Sequence, residues 1–434
     1  MPHNLYYIDS IYRREGRDNT DGYITLISTD ADEDGKYLPT TIPFNRIPVV
    51  RKVNDTIEVS ENNYVFLRNY NYGDELVFED GNNSQYSEAQ FMRMSDIRQR
   101  LHDRYGNVTE ELTEKEFLIL SHPTEIYSYH VNVGHGNCSL ILIKSGYQYL
   151  LWMVDCSVVE ATYTFGSFRD HSANIEDCLN EIARKAYVKV DSLHVSRFFL
   201  THPHYDHYNG VAYLRKKGLL NGNTTYYINY YFDSSCESFM NILEELYNEN
   251  VKIVEPVSYK TEMRFLKILH PKCRIYRSGK LIETDEIAIA YRPVGNANNA
   301  SVVYDFSISQ RSMVFPGDLQ HEGFDAMTNE NVCCNMFEAP DYYAISHHGS
   351  SNGHPQQRCL THHIPFYPLG CFTKNVKKAV LMGRDGAYSG IFDSKVVSFF
   401  DQKDVLVSTD MRRGRGDLKY LSLNWLDGSV EYKF

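Results

Sequence analysis

Thr201-His202-Pro203-His204-Tyr205-Asp206-His207 has the pattern H-x-H-x-D-H and follows directly on the largely apolar run 195–200. Three imidazoles and a carboxylate fall within six consecutive positions. At a strand-to-loop junction such a cluster sends alternate side chains into one pocket, where neutral imidazoles and carboxylates make good ligands for zinc-like cations. A His-rich surface loop is the plain alternative, and the segments downstream count against it. The pattern predicts a metal-dependent hydrolase.

Working outward, Asp155 ends the run Leu150-Leu151-Trp152-Met153-Val154, which puts a carboxylate at the mouth of a buried strand. Phe315-Pro316-Gly317-Asp318 repeats that arrangement. Ile345-Ser346-His347-His348-Gly349-Ser350 delivers imidazoles from another strand end. Asn298-Asn299-Ala300-Ser301-Val302-Val303 enters a strand 20 residues before Asp318. No Ser or Cys stands in a G-x-S-x-G context, so a metal-activated hydroxide is the expected nucleophile.

In that order these motifs resemble the metallo-β-lactamase superfamily, and more narrowly the hydrolase domain of ComEC-type DNA-uptake proteins and its soluble relatives. The narrower resemblance rests on Val133-Gly134-His135-Gly136-Asn137-Cys138, on N-N-x-S-V-V, on H-H-G-S and on Ser408-Thr409-Asp410. It covers roughly residues 125–434. It implies an α/β fold, a four-layer αβ/βα sandwich with a dinuclear site on the edge of its two sheets. His202 and His204 would bind one divalent ion, Asp206, His207 and His348 the second, and Asp318 would bridge them. Zinc is the expected metal and manganese the alternative. Asp155 would lie behind the ligands and hold the His loop in register. In-line attack of a metal-bound hydroxide on phosphorus would follow, with Asp206, Asp318 and His347 closest to the chemistry.

Three positions depart from the family pattern. Asn298 or Asn299 stands where a third histidine is usual, and an amide oxygen is a weak, hard ligand. His270, in Leu269-His270-Pro271, is an alternative third ligand. The relatives' Tyr-Gly-His-Pro segment corresponds to Tyr388-Ser389-Gly390, without a histidine. His135 replaces a glutamine and faces the site on the family pattern, either orienting the centre or touching substrate. Within His347-His348, His348 is the expected ligand and His347 the residue facing substrate.

The 434 residues suffice for more than one domain, and 42% hydrophobic with 23% charged content is ordinary for a globular chain. No apolar run approaches the roughly 18 to 20 residues that span a bilayer. The N-terminus lacks an apolar signal core, so cytoplasm and no membrane partner are the expectation. Nine cysteines without a C-x-x-C spacing argue against a disulfide framework. The net charge of -12 gives no support for broad nucleic-acid binding. A local exception is Arg412, Arg413, Arg415 and Lys419, which could grip substrate phosphates or simply decorate a hairpin.

Residues 1–123 read as a β-rich accessory domain with strands near 23–27, 56–59, 64–68 and 75–78. A helix with Phe91, Met94, Ile97 and Leu101 on one face follows. Residues 124–434 read as the hydrolase domain, with strands near 127–133, 138–143, 149–154, 195–200, 226–232, 265–269, 287–291, 301–308, 313–315 and 342–346. Ile175, Cys178, Leu179, Ile182 and Ala183 mark an amphipathic helix, as do Phe239, Ile242, Leu243 and Leu246. Residues 405–434 read as a strand and a hairpin. His354, His362 and His363 lie in a Pro-interrupted stretch and are expected at the surface.

A phosphodiesterase or nuclease acting on nucleic acid or a nucleotide is the leading expectation. A hydrolase of acyl, lactone or peptide bonds is the second. The third is a non-catalytic sensor or assembly subunit of a bacterial defence-type system, with residues 1–123 binding a protein partner.

Overall fold

The computed structural model describes residues 4–13, 22–43, 50–52, 55–57, 64–68, 77–80, 84–106, 108, 111–162, 167–230, 237–256, 265–270, 276–277, 280–281, 298, 301–321, 323–324, 340–354, 373, 375–387, 390–413 and 416–434. The expected strand at 287–291 lies outside them, as do His362 and His363.

The chain is a mixed α/β protein with several sheets. The largest has eight strands, in the order Ile253–Val254, Thr225–Tyr227, Arg197–Phe199, Gln148–Cys156, Cys138–Ser145, Glu125–Val131, Tyr420–Asn424, Val430–Lys433. A second has six, in the order Leu266–His270, Val303–Ile308, Arg311–Phe315, Tyr342–Ala344, Lys378–Leu381, Leu406–Ser408. Period-2 alternation divides each strand's apolar residues between two cores. Leu140, Leu142, Leu151, Met153, Phe198 and Tyr226 join one core, which also holds Ile175 and Ile182 of the helix Ser172–Ala186 and Phe239 and Leu243 of Glu237–Asn248. Their neighbours Ile141, Ile143, Trp152, Val154, Phe199 and Tyr227 join a second core with Tyr304, Phe306, Met313, Phe315, Tyr342 and Val380 of the six-stranded sheet. The opposite faces of that sheet's strands (Val303, Val314, Tyr343, Ala379, Leu381) meet Val396 and Phe400 of the helix Ser394–Asp401. Strands buried on both faces explain why runs such as 138–143 read as continuously apolar.

Strand direction collects the polar loops. Gln148–Cys156 runs parallel to Arg197–Phe199, which runs parallel to Thr225–Tyr227. In the other sheet Arg311–Phe315, Tyr342–Ala344, Lys378–Leu381 and Leu406–Ser408 are parallel in sequence. Parallel strands send their C-terminal ends to one edge, the usual place for a site in such sheets. The two edges are joined where Val302 N donates to the Thr201 carbonyl at 2.7 Å and the Tyr304 hydroxyl donates to the Leu200 carbonyl at 2.9 Å.

The N-terminal residues form a five-stranded antiparallel sheet, ordered Pro39–Pro43, Gly22–Ser28, Asn4–Arg13, Tyr64–Arg68, Val77–Asp80. The long helix Ser84–Tyr105 follows, and its Met94, Ile97 and Leu101 are buried in the same core as Ile175 and Leu243. Polar contacts reinforce the packing: Arg93 pairs with Glu244 at 2.5 Å, Lys36 with Asp170 at 2.6 Å, and the Tyr205 hydroxyl donates to the Tyr37 carbonyl. Tyr7, Ile27, Tyr37, Met94, Ile97, Leu101 and Tyr105 of the N-terminal segment therefore share a core with the later helices and strands. Among the described residues no helix is long and apolar enough to cross a membrane.

Candidate metal centre

Asp155, the 201–207 segment, Asp318 and the 345–350 turn all emerge at the common edge. Asp155 adopts a left-handed backbone (φ 52°), as do His347 (φ 48°) and His348 (φ 49°). Non-glycine residues rarely take this conformation, and where they do the surrounding structure must enforce it, often at functional sites. Here the loops are locked to each other. His347 N donates to the Gly317 carbonyl at 3.1 Å, and the Ser346 hydroxyl donates to the Leu319 carbonyl at 2.8 Å. Gly317 (φ 57°) is required by close approach as well as by backbone angle, because a Cβ there would stand 2.6 Å from Thr201 Cβ. That contact brings Asp318 onto the His loop.

Asp206, His207, Asp318 and His348 each present one ligand atom within 4.8 Å of the others, a buried group that could hold a metal ion. His348 Nε2 lies 3.3 Å from Asp206 Oδ2 and 3.5 Å from Asp318 Oδ2. His207 Nε2 lies 3.3 Å from Asp318 Oδ1 and 3.7 Å from Asp206 Oδ2. Donors spaced about 3.4 Å apart are what a tetrahedral ion with bonds of about 2.1 Å requires. The donor set passes a second test. The Nε2 atoms of His202, His207 and His348 and Oδ1 of Asp318 are buried and make no hydrogen bond among the described residues. Orphaned buried polar atoms are costly unless something binds them.

Behind the group, other residues fix its orientation. Asp155 accepts from Thr201 N and Thr201 Oγ1, both at 2.8 Å, and stands 2.8 Å from His207 Nδ1. One carboxylate thereby ties the start and the end of the H-x-H-x-D-H segment and turns His207 Nε2 toward Asp318. His348 Nδ1 donates to the Met382 carbonyl at 3.1 Å. Imidazole ligands are commonly oriented through their other nitrogen in this way.

Charge reinforces the picture. Burial opposes ionisation throughout, yet the facing carboxylates of Asp318 and Asp206 lift His207 well above its usual range and His348 to about 10. Reciprocally, although burial works against it, the neighbouring imidazoles hold Asp206 and Asp318 well below the usual carboxylate range. The pocket demands positive charge, supplied by protons or by a cation. Burial pushes His202, His204 and His347 down and His135 down to about 3, so these imidazoles are neutral.

His202 and His204 stand beside the group, with ring centroids 4.5 Å apart and His202 4.2 Å from His207. Asn298 is buried, its Nδ2 is 3.3 Å from His347 Nε2, and its Oδ1 has no hydrogen bond among the described residues. His347 sits at the rim, with Nε2 4.0 Å from Asp318 Oδ2 and Nδ1 3.0 Å from Asn352 Oδ1. His135 reaches in from the 133–138 turn, with Nε2 3.4 Å from Asp206 Oδ2 and its ring 4.3 Å from that of His348. Asn299, Arg415 and Tyr388-Ser389 lie outside the described residues, as do the side chains of His270, Arg412 and Arg413. The backbones of Arg412 and Arg413 form a two-residue strand paired with Gly416–Asp417, and Lys419 is tied to Asp177 at 2.7 Å.

His354 is a correction. Expected at the surface, it is buried, 7% exposed, where the chain turns back on itself: Gly353 N donates to the Ser350 carbonyl, and a Cβ at Gly353 would stand 2.8 Å from the Ser346 carbonyl oxygen. Sequence reasoning also missed Thr201, Asn352 and the Met382 carbonyl, and it missed the pair Glu160–Arg384 (Nη2 to Oε1, 2.6 Å). A backbone carbonyl leaves no trace in side-chain pattern, and Glu160 is 224 positions from its partner.

Comparison with known protein families finds no matching family, and no characterised protein matches the chain.

Proposed function

We propose that the protein is a metallohydrolase of the metallo-β-lactamase type that cleaves phosphodiesters in nucleic acid or nucleotides. One observation carries this reading: four side chains from three separate loops, Asp206, His207, Asp318 and His348, converge at ligand spacing on one buried point. Two sheets sharing a core, with helices against their outer faces, are what a four-layer αβ/βα sandwich requires. The preference for phosphorus over acyl carbon is supported by the motif resemblance of the 133–138 turn and of N-N-x-S-V-V.

The donors suit two divalent ions, zinc foremost and manganese as the alternative. Asp206, His207 and His348 would hold one, His202 and His204 with the Asn298 amide the other, and Asp318 both. Bound ions of this kind polarise a phosphoryl oxygen and bring the pKa of a coordinated water near neutrality. Asp155 would hold His207 in its ligating tautomer. His347, with Nδ1–H directed at Asn352, turns its Nε2 lone pair to the Asn298 amide at 3.3 Å, and by exchanging that contact for water it would carry a proton to the leaving oxygen. The Arg412, Arg413 and Arg415 segment would contact substrate phosphates, and residues 1–123 would serve a protein partner. A cytoplasmic location accords with this chemistry.

Metal analysis of the purified protein, combined with hydrolysis of bis(p-nitrophenyl) phosphate and of DNA and RNA under added zinc or manganese, tests the reading. Asp318→Ala should lower turnover by about a thousand-fold or more, since several kcal/mol of transition-state stabilisation depend on the centre. Unchanged metal content and turnover in that variant would sink the assignment.

A further inference from the structure

Beside the metal-ligand group, a second cluster of charges is centred on Glu160. The Glu160 side chain is buried, 2% exposed. Arg384 grips it in a fork, Nε at 2.8 Å and Nη2 at 2.6 Å from Oε1. His171 Nε2 stands 3.4 Å and Arg169 Nη1 3.9 Å from Oε2. Although burial opposes it, His171 and Arg384 hold the Glu160 carboxyl below its usual range. Two guanidinium groups face one carboxylate, so the cluster carries net positive charge.

The cluster lies next to the candidate centre through two close approaches at glycines. Arg384 directly follows Gly383, where a Cβ would stand 3.0 Å from His348 Nδ1. Glu160 packs against Gly134, so closely that a Cβ at that position would overlap its carboxylate. Gly134 precedes His135, whose Nε2 is 3.4 Å from Asp206 Oδ2. Arg384 therefore follows the glycine that packs on His348, and its anchor Glu160 packs on the glycine that precedes His135. The Arg384 side chain remains 21% exposed and that of Arg169 50% exposed. A buried carboxylate that fixes a guanidinium removes the rotamer freedom an arginine otherwise loses on gripping an anion.

We propose that Arg384 and Arg169, gathered on Glu160, form a subsite for a second, non-reacting phosphate of the substrate. The substrate class is then a phosphodiester that carries a further phosphate beside the scissile one, as any internal linkage of a polynucleotide does. This rests on the phosphodiesterase reading.

The test compares kcat/KM for thymidine 3′-phosphate 5′-(p-nitrophenyl phosphate) with that for the same ester lacking the 3′-phosphate. The metal-loaded wild type should favour the two-phosphate ester, chiefly through a lower KM. Arg384→Gln and Arg169→Gln should each cut that preference by about ten- to hundred-fold, the usual consequence of losing a hydrogen bond to a charged group. Arg169→Gln keeps the test open if removing Arg384 unfolds the protein by leaving Glu160 unpaired. A wild type with no preference, or a preference that survives in both variants, would overturn the subsite. A wild type that hydrolyses neither ester fails the phosphodiesterase reading itself, and the subsite falls with it.

Discussion

The two ends of the candidate centre are built differently. At one end Asp206, His207, Asp318 and His348 sit at ligand spacing, and His207 and His348 are each oriented through Nδ1, by Asp155 and by the Met382 carbonyl. At the other end the His202 and His204 ring centroids lie 4.5 Å apart, and the buried Asn298 offers an amide Oδ1 that has no hydrogen bond among the described residues. The first end has two carboxylates and two imidazoles to share one charge; the second has neutral imidazoles and a neutral amide apart from its share of Asp318. Affinity for a divalent cation scales with ligand charge and preorganisation, so an ion at the first end should be bound far more tightly.

Paired substitutions would break this contrast most directly. His348→Ala should abolish the tight ion, lowering its apparent affinity by more than about a hundred-fold, beyond what loss of an orienting residue costs. His204→Ala should leave that ion in place and weaken only a second equivalent. Isothermal titration of chelated protein with zinc reads both, and equal losses in the two variants would erase the distinction between the ends.

Proton competition sharpens the same contrast. In ion-free protein His207 and His348 are held protonated by the acids around them, His348 up to about 10 from an ordinary 6.5. A raised pKa stabilises the fold fully below the unfolded value and loses that contribution as pH climbs through the folded one. Chelated protein should therefore lose thermal stability between pH 6.5 and about 10. An ion must displace the same protons, so its apparent affinity should rise over that window by about tenfold per pH unit for each proton released. His202 and His204 are pushed down instead, and an ion at their end should bind with little dependence on pH over the same range. Differential scanning calorimetry and zinc titration at several pH values measure both effects, and parallel pH dependence at the two ends would count against the contrast.

Much of this was legible in the sequence because it depends on local order. H-x-H-x-D-H is contiguous, and the strand-then-acid pattern of Asp155 and Asp318 follows from strands that end at one edge. The helix Ser172–Ala186 announced itself through five apolar positions at helical spacing, all now buried. Other elements carried weak signals. Lys378–Leu381 is four residues long, Asn4–Arg13 shifts register between Ile8 and Ser10, and the helix Ser394–Asp401 is written in valine and phenylalanine, which read equally as strand. Where the expected strands at 56–59 and 75–78 fall on described residues, strands stand at Asp55–Ile57 and Val77–Asp80. Contacts such as Glu160–Arg384 or Tyr205 with Tyr37 join residues more than a hundred positions apart, and no periodicity encodes them.

The residues behind the ligands give smaller effects that still separate the ends. Asp155→Asn keeps an acceptor for Thr201 but turns an amide NH2 toward His207 Nδ1, which releases the imidazole from its orientation. A ten- to hundred-fold loss in affinity at the tight end is expected, about what such residues contribute elsewhere. Thr201→Val is gentler. It removes the hydroxyl that donates to Asp155 Oδ2 at 2.8 Å and leaves the backbone N–H on Oδ1, also at 2.8 Å. Losing one of the three hydrogen bonds on this buried carboxylate costs about 1.5 kcal/mol, the low end for a charged partner, or roughly tenfold in affinity. The hydroxyl also lies 3.2 Å from His202 Nδ1, so this substitution touches both ends at once. If orientation through Asp155 is what makes the first end tight, Thr201→Val should weaken its ion and the second equivalent by similar small factors, whereas Asp155→Asn should weaken the first far more. Zinc titration of the two variants side by side decides whether the contrast resides in the carboxylate or in the whole loop.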